Sequence, residues 1–583
     1  MHTLLRLGLI ALFIVGLAIS QPAHAATLTV TTDADELNND GDCSLREAIR
    51  AANLNVQVDS CVAGTSTDVI NIPGGVYLLT LDGADDDTAA LGDLDLLGNL
   101  TLSGAGIADT IIDGNAQDRV FDIMSGAQVH LTQLMIRNGY AAGSDAAFGS
   151  GGGLRTSGTA TLTNVRLQNN RAGGEESEYV GFPGNGGGIA NNGTLMILGG
   201  TVEQNESGGG SDPGEGGGIF NTGSLTIEAS QVRNNEAVTS VYNSGGRGGG
   251  IANDGGTVTA TATQITANEA SGAREGTGYG GGIANLSGAM QLITSIVDQN
   301  YVYGGYAASG GEGGGIYNLD QLTIERSTIA HNRAGSGYAM GTGGGIYNEG
   351  TLTVANSTIS HNVSEGNGEI APGIGGGVGG GIATNGTLHL NNTTIHTNRA
   401  DNYPGEPPGQ GAGLFVNGGT ATIRNSIIAG NLNGDPQRPE CAGTLQSEGY
   451  NLIQSTIDCT ITGDLTGNLL GVDPQLGPLQ DNGGPTPTHA PFRGSPVVDA
   501  GNTAAPGSGG NACKPTDQRG VERPQDGGGD GIARCDIGAV ECTIAASENG
   551  SLPCVYIVPL NYHQYLPLVQ TPHQNPSDRA MLR

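Results

Sequence analysis

Apolar and polar residues alternate along most of this chain in runs of only four or five residues, as at Leu352 and Val354, Leu322 and Ile324, and Leu225 and Ile227, each pair separated by Thr. A period of two marks a strand with one face buried. The runs are too short for helices, and Asn, Gly and Ser punctuate them. Three such pieces make a unit, represented by GGGIYN, TLTV and STISHN between residues 343 and 362. The glycine that opens each unit stands at 151, 186, 216, 248, 280, 313, 343, 379 and 411. Within a unit the opening segment is nearly constant, and the variation falls in a Gly-rich insert that follows it, the mark of one structural turn plus one tolerant loop.

Three short strands per turn, stacked about 4.8 Å apart, predict an all-β chain folded as a right-handed parallel β-helix, a single-stranded solenoid with Ile, Leu and Val in its bore. A propeller, the competing β-repeat, needs four strands in about 40 or more residues. Asn follows the third piece in every unit, at Asn170, Asn205, Asn235, Asn268, Asn300, Asn332, Asn362, Asn398 and Asn431. A second column follows the first piece in six units, at Asn191, Asn221, Asn253, Asn285, Asn318 and Asn348. Asn tolerates bent backbone, and stacked amides donate to and accept from one another, so both columns are expected to be structural ladders.

The ends differ from the repeats. CSLREAIRAAN, residues 43–53, predicts a short capping helix, with Ser44 and Glu47 as a capping box and Leu45, Ala48, Ile49 and Ala52 as one apolar stripe, leaving Arg46 and Arg50 to face water. The first 25 residues carry Arg6, an apolar run from Leu7 to Ile19 and the small-residue pattern Ala23-His24-Ala25, which predicts a secretory signal peptide cleaved between Ala25 and Ala26. No later stretch reaches 18 consecutive apolar residues, so no integral membrane span is expected after cleavage. The chain divides into a signal peptide (1–25), an N-terminal cap (26–68), a β-helix (69–462) with nine clear repeats from 151 to 431, a Pro-rich closing segment (463–541) and a tail (542–583).

Without residues 1–25, which hold Arg6 as their one charged group, 22 basic residues stand against 56 acidic ones, a formal charge of −34. That field repels phosphate backbones, excluding nucleic acid as a partner, and repels polyanionic polysaccharide unless cations bridge. The eight cysteines lie at the two ends and none in the repeats. An even count in an exported chain predicts disulfides, paired with nearest neighbours as Cys43 with Cys61, Cys441 with Cys459, Cys513 with Cys535 and Cys542 with Cys554.

CSLREAIRAAN resembles the signature of the bacterial CSLREA domain. The Gly-Gly-Gly-Ile-x-Asn units resemble the parallel β-helix repeats of polymorphic outer-membrane-protein-like and pectin-lyase-like proteins, and Asp473 to Glu541 is similar to the choice-of-anchor Q domain. Together these resemblances imply an exported, extracellular or cell-surface β-helix. The chain departs from autotransporters in showing no C-terminal β-barrel pattern.

Fold alone does not decide activity, because the pectin-lyase-like fold hosts lyases, hydrolases and inert adhesins. For hydrolysis, which needs two carboxyls roughly 5 to 9.5 Å apart, the candidate acids are Asp93, Asp95 and Asp113, against a reading of all three as turn and corner residues. His331 and His361 occupy equal positions in neighbouring units, with His396 one residue out of register, and read as interchangeable corner polars rather than as a metal site. DGGGDG offers only Asp526 and Asp530 for structural calcium, and no cofactor is expected. The inserts hold nine of the 16 Tyr. Of these, Tyr179, Tyr242, Tyr279, Tyr303, Tyr306, Tyr338 and Tyr403 are the candidate ligand contacts, accompanied by glutamates such as Glu175, Glu275, Glu312 and Glu406. Flat rings beside carboxylates suit glycan or protein recognition. The leading expectation is an adhesion or structural protein that binds through this loop face. A polysaccharide lyase or glycoside hydrolase is the alternative, disfavoured by repeats poor in Lys.

Overall fold

The fold is known from a computed structural model that describes residues 25–83, 87–142, 150–173, 184–208, 213–239, 245–272, 276–305, 310–335, 340–366, 376–401, 408–433 and 439–543. The repeat builds a parallel β-helix. Ile316–Asn318 pairs in parallel with Ile346–Asn348, and that strand with Ile382–Thr384, one coil upon the next. Thr351–Ala355 and Thr358–Ser360 supply the second and third strands of the same coil. A fourth strand follows the Asn corner in each of these coils and belongs to a separate nine-stranded parallel sheet that runs from Tyr140–Ala141 to Arg399–Ala400. It is only two or three residues long, as at Val363–Ser364 and Tyr301–Tyr303, too short to carry an alternation that can be read.

Ile346, Leu352, Val354 and Ile359 show how one coil fills the bore; all four are fully buried. Their counterparts above and below make one continuous apolar core from Leu28 to Ile453. The opening glycines are dictated by geometry. Gly343 sits at φ +64°, and a Cβ on Gly344 would lie 2.3 Å from the carbonyl carbon of Val363 and 2.6 Å from the carbonyl oxygen of Gly380. Only glycine permits that approach.

Both Asn columns are ladders. From Asn170 to Asn398, each side-chain amide donates to the Oδ1 of the next Asn at 2.9 to 3.0 Å. The same Oδ1 accepts the backbone N–H of the Asn that donates to it, as between Asn300 and Asn332 at 3.0 Å. Asn431 ends the column on the Glu440 carboxylate at 2.7 Å. The second column passes from Asn191 through Asn221, Asn253, Asn285 and Asn318 to Asn348, and ends on the Thr384 hydroxyl at 3.0 Å. A third column, at the corner before the third strand, joins Thr263, Ser295, Ser327 and Ser357 by backbone N–H to hydroxyl bonds of 3.0 to 3.2 Å.

At the N-terminal end, the helix Leu45–Leu54 is capped as expected: the Ser44 hydroxyl accepts from Glu47 N–H, and the Glu47 carboxylate accepts from Ser44 N–H. Its apolar face joins the core of the bore. Arg46, expected to face water, is 1% exposed. It pairs with Asp35 at 2.6 Å and donates to the carbonyls of Ala89, Gly92 and Asp93, so the guanidinium is a buried clamp between the helix and the coil beneath it. Arg50 reaches the Thr88 carbonyl. The stack itself begins at Ala26–Thr29, which pairs with Asp68–Ile72 inside the segment read as a cap.

The closing segment lies along the flank of the rod. Thr486, Gln518 and Ala539 bond to Arg326, Thr328 and Thr394 respectively, so the chain returns over the third strands of several coils. Disulfides join Cys43 to Cys61, Cys441 to Cys459 and Cys513 to Cys535. For the fourth expected pair, Cys554 lies outside the described residues.

Candidate functional site

Each insert leaves the coil after the fourth strand and rejoins it just before the glycine triplet. Two columns of side chains therefore flank the insert bases. The first runs up the fourth strands through Tyr140, Arg171, Glu206, Glu236, Glu269, Tyr301 and Arg333. The second, immediately before the triplets, runs through Glu215, Arg247, Tyr279 and Glu312. Both place guanidinium groups against aromatic faces: Arg171 lies 5.7 Å from the Tyr140 ring centre, Arg333 lies 5.4 Å from that of Tyr301, and Arg247 lies 6.0 Å from that of Tyr279. Arg247 also pairs with Glu215 at 2.7 Å.

Stacking like charges has a cost that shows in proton affinity. Burial, then Glu269 and Glu206, pushes Glu236 up to about 7. Burial and the neighbouring Glu349 push Glu312 up to about 7 as well. A carboxyl held near neutrality in this way can accept hydrogen bonds when ionised and donate one when protonated. Tyr301 and Tyr303 lie with ring centres 5.5 Å apart beside this column.

At one end of the first column is a cleft of about 560 Å³ lined by Asp113, Asn115, Asn138, Tyr140, Asn169 and Arg171. Asp113 is fully engaged there, accepting from Arg137 Nε at 2.7 Å, Asn138 Nδ2 at 3.0 Å and Asn115 N–H at 3.0 Å. It is a clamp and does not join the other two predicted acids. Asp95 instead pairs in register with Asp122, and one carboxylate oxygen of each of Asp93, Asp95 and Asp122 lies within 4.8 Å of the other two. All three are buried, with Arg119 Nη1 2.8 Å from Asp93 Oδ2 and Arg155 paired to Asp122. Burial, with Asp95, Asp118 and Asp122 nearby, pushes Asp93 up to about 8 against the pull of Arg119.

The histidines gather where the closing segment meets the rod. His331 stacks on His361 at 5.0 Å, His361 on His489 at 5.9 Å, and His396 meets His489 edge-on at 4.6 Å. His489 Nδ1 donates to the Gly477 carbonyl at 2.7 Å, so its Nε2 accepts from the Ser360 hydroxyl at 2.8 Å. His331 and His361 hold left-handed backbone at φ +52° and +57°, the corner position that Asn234, Ala267 and Gln299 hold in other coils. Among the described residues no group of three possible ligands at metal spacing includes these imidazoles.

Of the predicted Tyr contacts, Tyr279 and Tyr303 lie in the described part, both half-buried; Tyr179, Tyr242, Tyr306, Tyr338 and Tyr403 lie outside the described residues. The Tyr279 ring continues into Tyr317 at 4.8 Å, and Tyr317 stacks on Tyr347 at 5.5 Å. Both of the latter escaped the sequence reading, although Tyr at one position of two successive GGGIYN units was the available signal. In DGGGDG, Asp526 accepts the N–H groups of Gly529, Asp530 and Gly531, which makes it a turn former. No family model, curated protein or solved structure matches this chain.

Proposed function

We propose that this is an exported, extracellular or cell-surface β-helix of the CSLREA and choice-of-anchor Q kind, with a structural and adhesive role, that binds glycan chains along the face from which the inserts emerge. The parallel β-helix with disulfides at its ends suits a rigid rod in an oxidising compartment. Among the described residues no helix is long and apolar enough to cross a membrane.

The observation that carries the reading is the pair of Tyr, Glu and Arg columns beside the insert bases, continued at one end by the cleft at Tyr140 and Arg171. Rings offer flat apolar faces to sugars, while carboxyl and guanidinium groups at adjacent rungs match hydroxyls. The formal charge of −33 for the whole chain favours neutral glycans over polyanions. The three acids expected to serve the enzymatic alternative do not form an accessible pair: Asp113 is held by Arg137 and Asn138, and Asp93 and Asp95 are buried.

A glycan array probed with the wild-type chain and with Tyr279→Ala/Tyr303→Ala tests the proposal. Binding to neutral glycans that weakens at least about tenfold in the variant is the expected result. Absence of binding, or release of new reducing ends from a polysaccharide panel, would sink it.

A further inference from the structure

The two ends of the rod are built unlike its flank. The first, second and third strands of the coils stack into three columns, and at each end two columns finish in a strand with one edge unpaired among the described residues. At the N-terminal end, Ala26–Thr29 of the second column pairs only with Asp68–Ile72, and Gly75–Leu78 of the third only with Thr110–Asp113. At the C-terminal end, Cys459–Asp464 of the second column pairs only with Cys441–Glu448, and Leu469–Leu470 of the third only with Leu452–Ile453. The open edges stand at the same two positions around the axis.

The first column finishes differently at its two ends. Leu94–Leu96 carries the capping helix across its edge: Asn53 donates to the Asp95 carbonyl at 2.8 Å and accepts from Leu97 N–H at 3.1 Å. At the far end the column stops at Cys441 and Ala442, because the last coil runs from Ile453 to Cys459 without a first strand. One end bears a helix at the position where the other lacks a strand.

Apolar exposure follows the same division. Of the exposed large apolar side chains in the described residues, only Met196 and Leu319 lie in the repeats from 151 to 431. Val76 and Leu78 stand on an open edge at one end, and Ile457, Leu465 and Leu470 lie in or beside the last coil at the other, each at least 40% exposed. Ile461, which packs against the core from the last coil, is only half-buried. Unpaired strand edges recruit further strands, and a solenoid buries its bore only where another rung covers it.

We infer that this chain associates head to tail with further copies of itself, the last coil of one rod seated on the first coil of the next. Cys459–Asp464 then lies beside Ala26–Thr29, and Leu469–Leu470 beside Gly75–Leu78, while the capping helix enters the position where the last coil has no first strand. The matching columns point to a second copy, and the formal charge of −33 opposes contact flank to flank. Because the two surfaces differ, the contact does not close on itself and builds a filament. This inference stands apart from the glycan-binding proposal.

The test follows the chain from Ala26 to Arg583 by sedimentation velocity and negative-stain microscopy, over rising concentration at low and high sodium chloride. Strings of rods joined end to end are expected, with a weight-average mass that at least about doubles and with more association at high salt, where repulsion is screened. Val76→Glu and Leu470→Glu each set an unpaired charge at the junction and should each weaken association at least about tenfold, whereas Leu319→Glu on the flank should not. Single rods at every concentration and salt, rods joined by their flanks or by like ends, or an equal loss in Leu319→Glu would overturn the inference. Single rods whose Cys459–Asp464 amides resist hydrogen exchange would overturn it too, since another part of the same chain then covers that end.

Discussion

A single ladder amide does several jobs at once. Asn300 accepts the backbone N–H and side-chain amide of Asn268 on its Oδ1, and donates its own to Asn332 and to the Ile265 carbonyl. No other side chain of that size both donates and accepts in this way. Asn300→Asp keeps the shape but loses the donors and buries a charge, so it should destabilise the fold by about 3 kcal/mol or more at pH 7, measured by urea unfolding. Protonation restores one donor, so the deficit should shrink near pH 4; a flat pH response would contradict the ladder account. The repeated Asn was legible because one residue type recurred at a fixed place in every unit. Arg46 was misread because helical spacing tells which residues share a face but not what another element lays over them. Asp122 was missed for a related reason: it sits inside FDI, and only the coil register sets it beside Asp95.

The coil as an element was readable in outline, since period two and the recurring glycines dictate strands and corners. Two parts stayed hidden. The fourth strand, two or three residues long, is below the length at which alternation means anything, and the Ser and Thr column looked like ordinary turn composition. The glycine triplet makes the sharpest prediction at this scale. Gly344→Ala must push a methyl group into the backbone of Val363 and of the neighbouring coil, so it should cost about 3 kcal/mol or more, or prevent folding, in thermal denaturation. An Ala at Gly98, where a Cβ meets nothing within 4 Å, serves as the tolerated control.

For the molecule as a whole, the returning closing segment ties coils that otherwise touch only their neighbours. Residue type leaves no clear trace of it: the third strand begins with Thr328, Thr358, Thr394 and Ile427 in the covered coils, but also with Thr201 and Ile296 in earlier ones, beside Gln231 and Gln264. The histidines make this attachment acid-sensitive. Burial first, then His331 and His396, lowers His361 from 6.5 to about 4, and burial lowers His396 and His489 too. Because the unfolded chain binds these protons more readily, the stability contributed by neutral imidazoles is present above about pH 6.5 and is lost as pH falls toward 4. Hydrogen exchange should show Thr488–Pro491 losing protection in that window before the repeats do, and His361→Phe should blunt the change. Every insert departs at the same corner after the fourth strand, so Tyr, Glu and Arg side chains line up there from rung to rung. On the proposed reading, a polymer lying along that edge would meet several weak footholds at once, and its residence would be governed by local re-engagement after any one lets go. Avidity, set by how many rungs the polymer spans, would then decide which chains are held and which short fragments slip away.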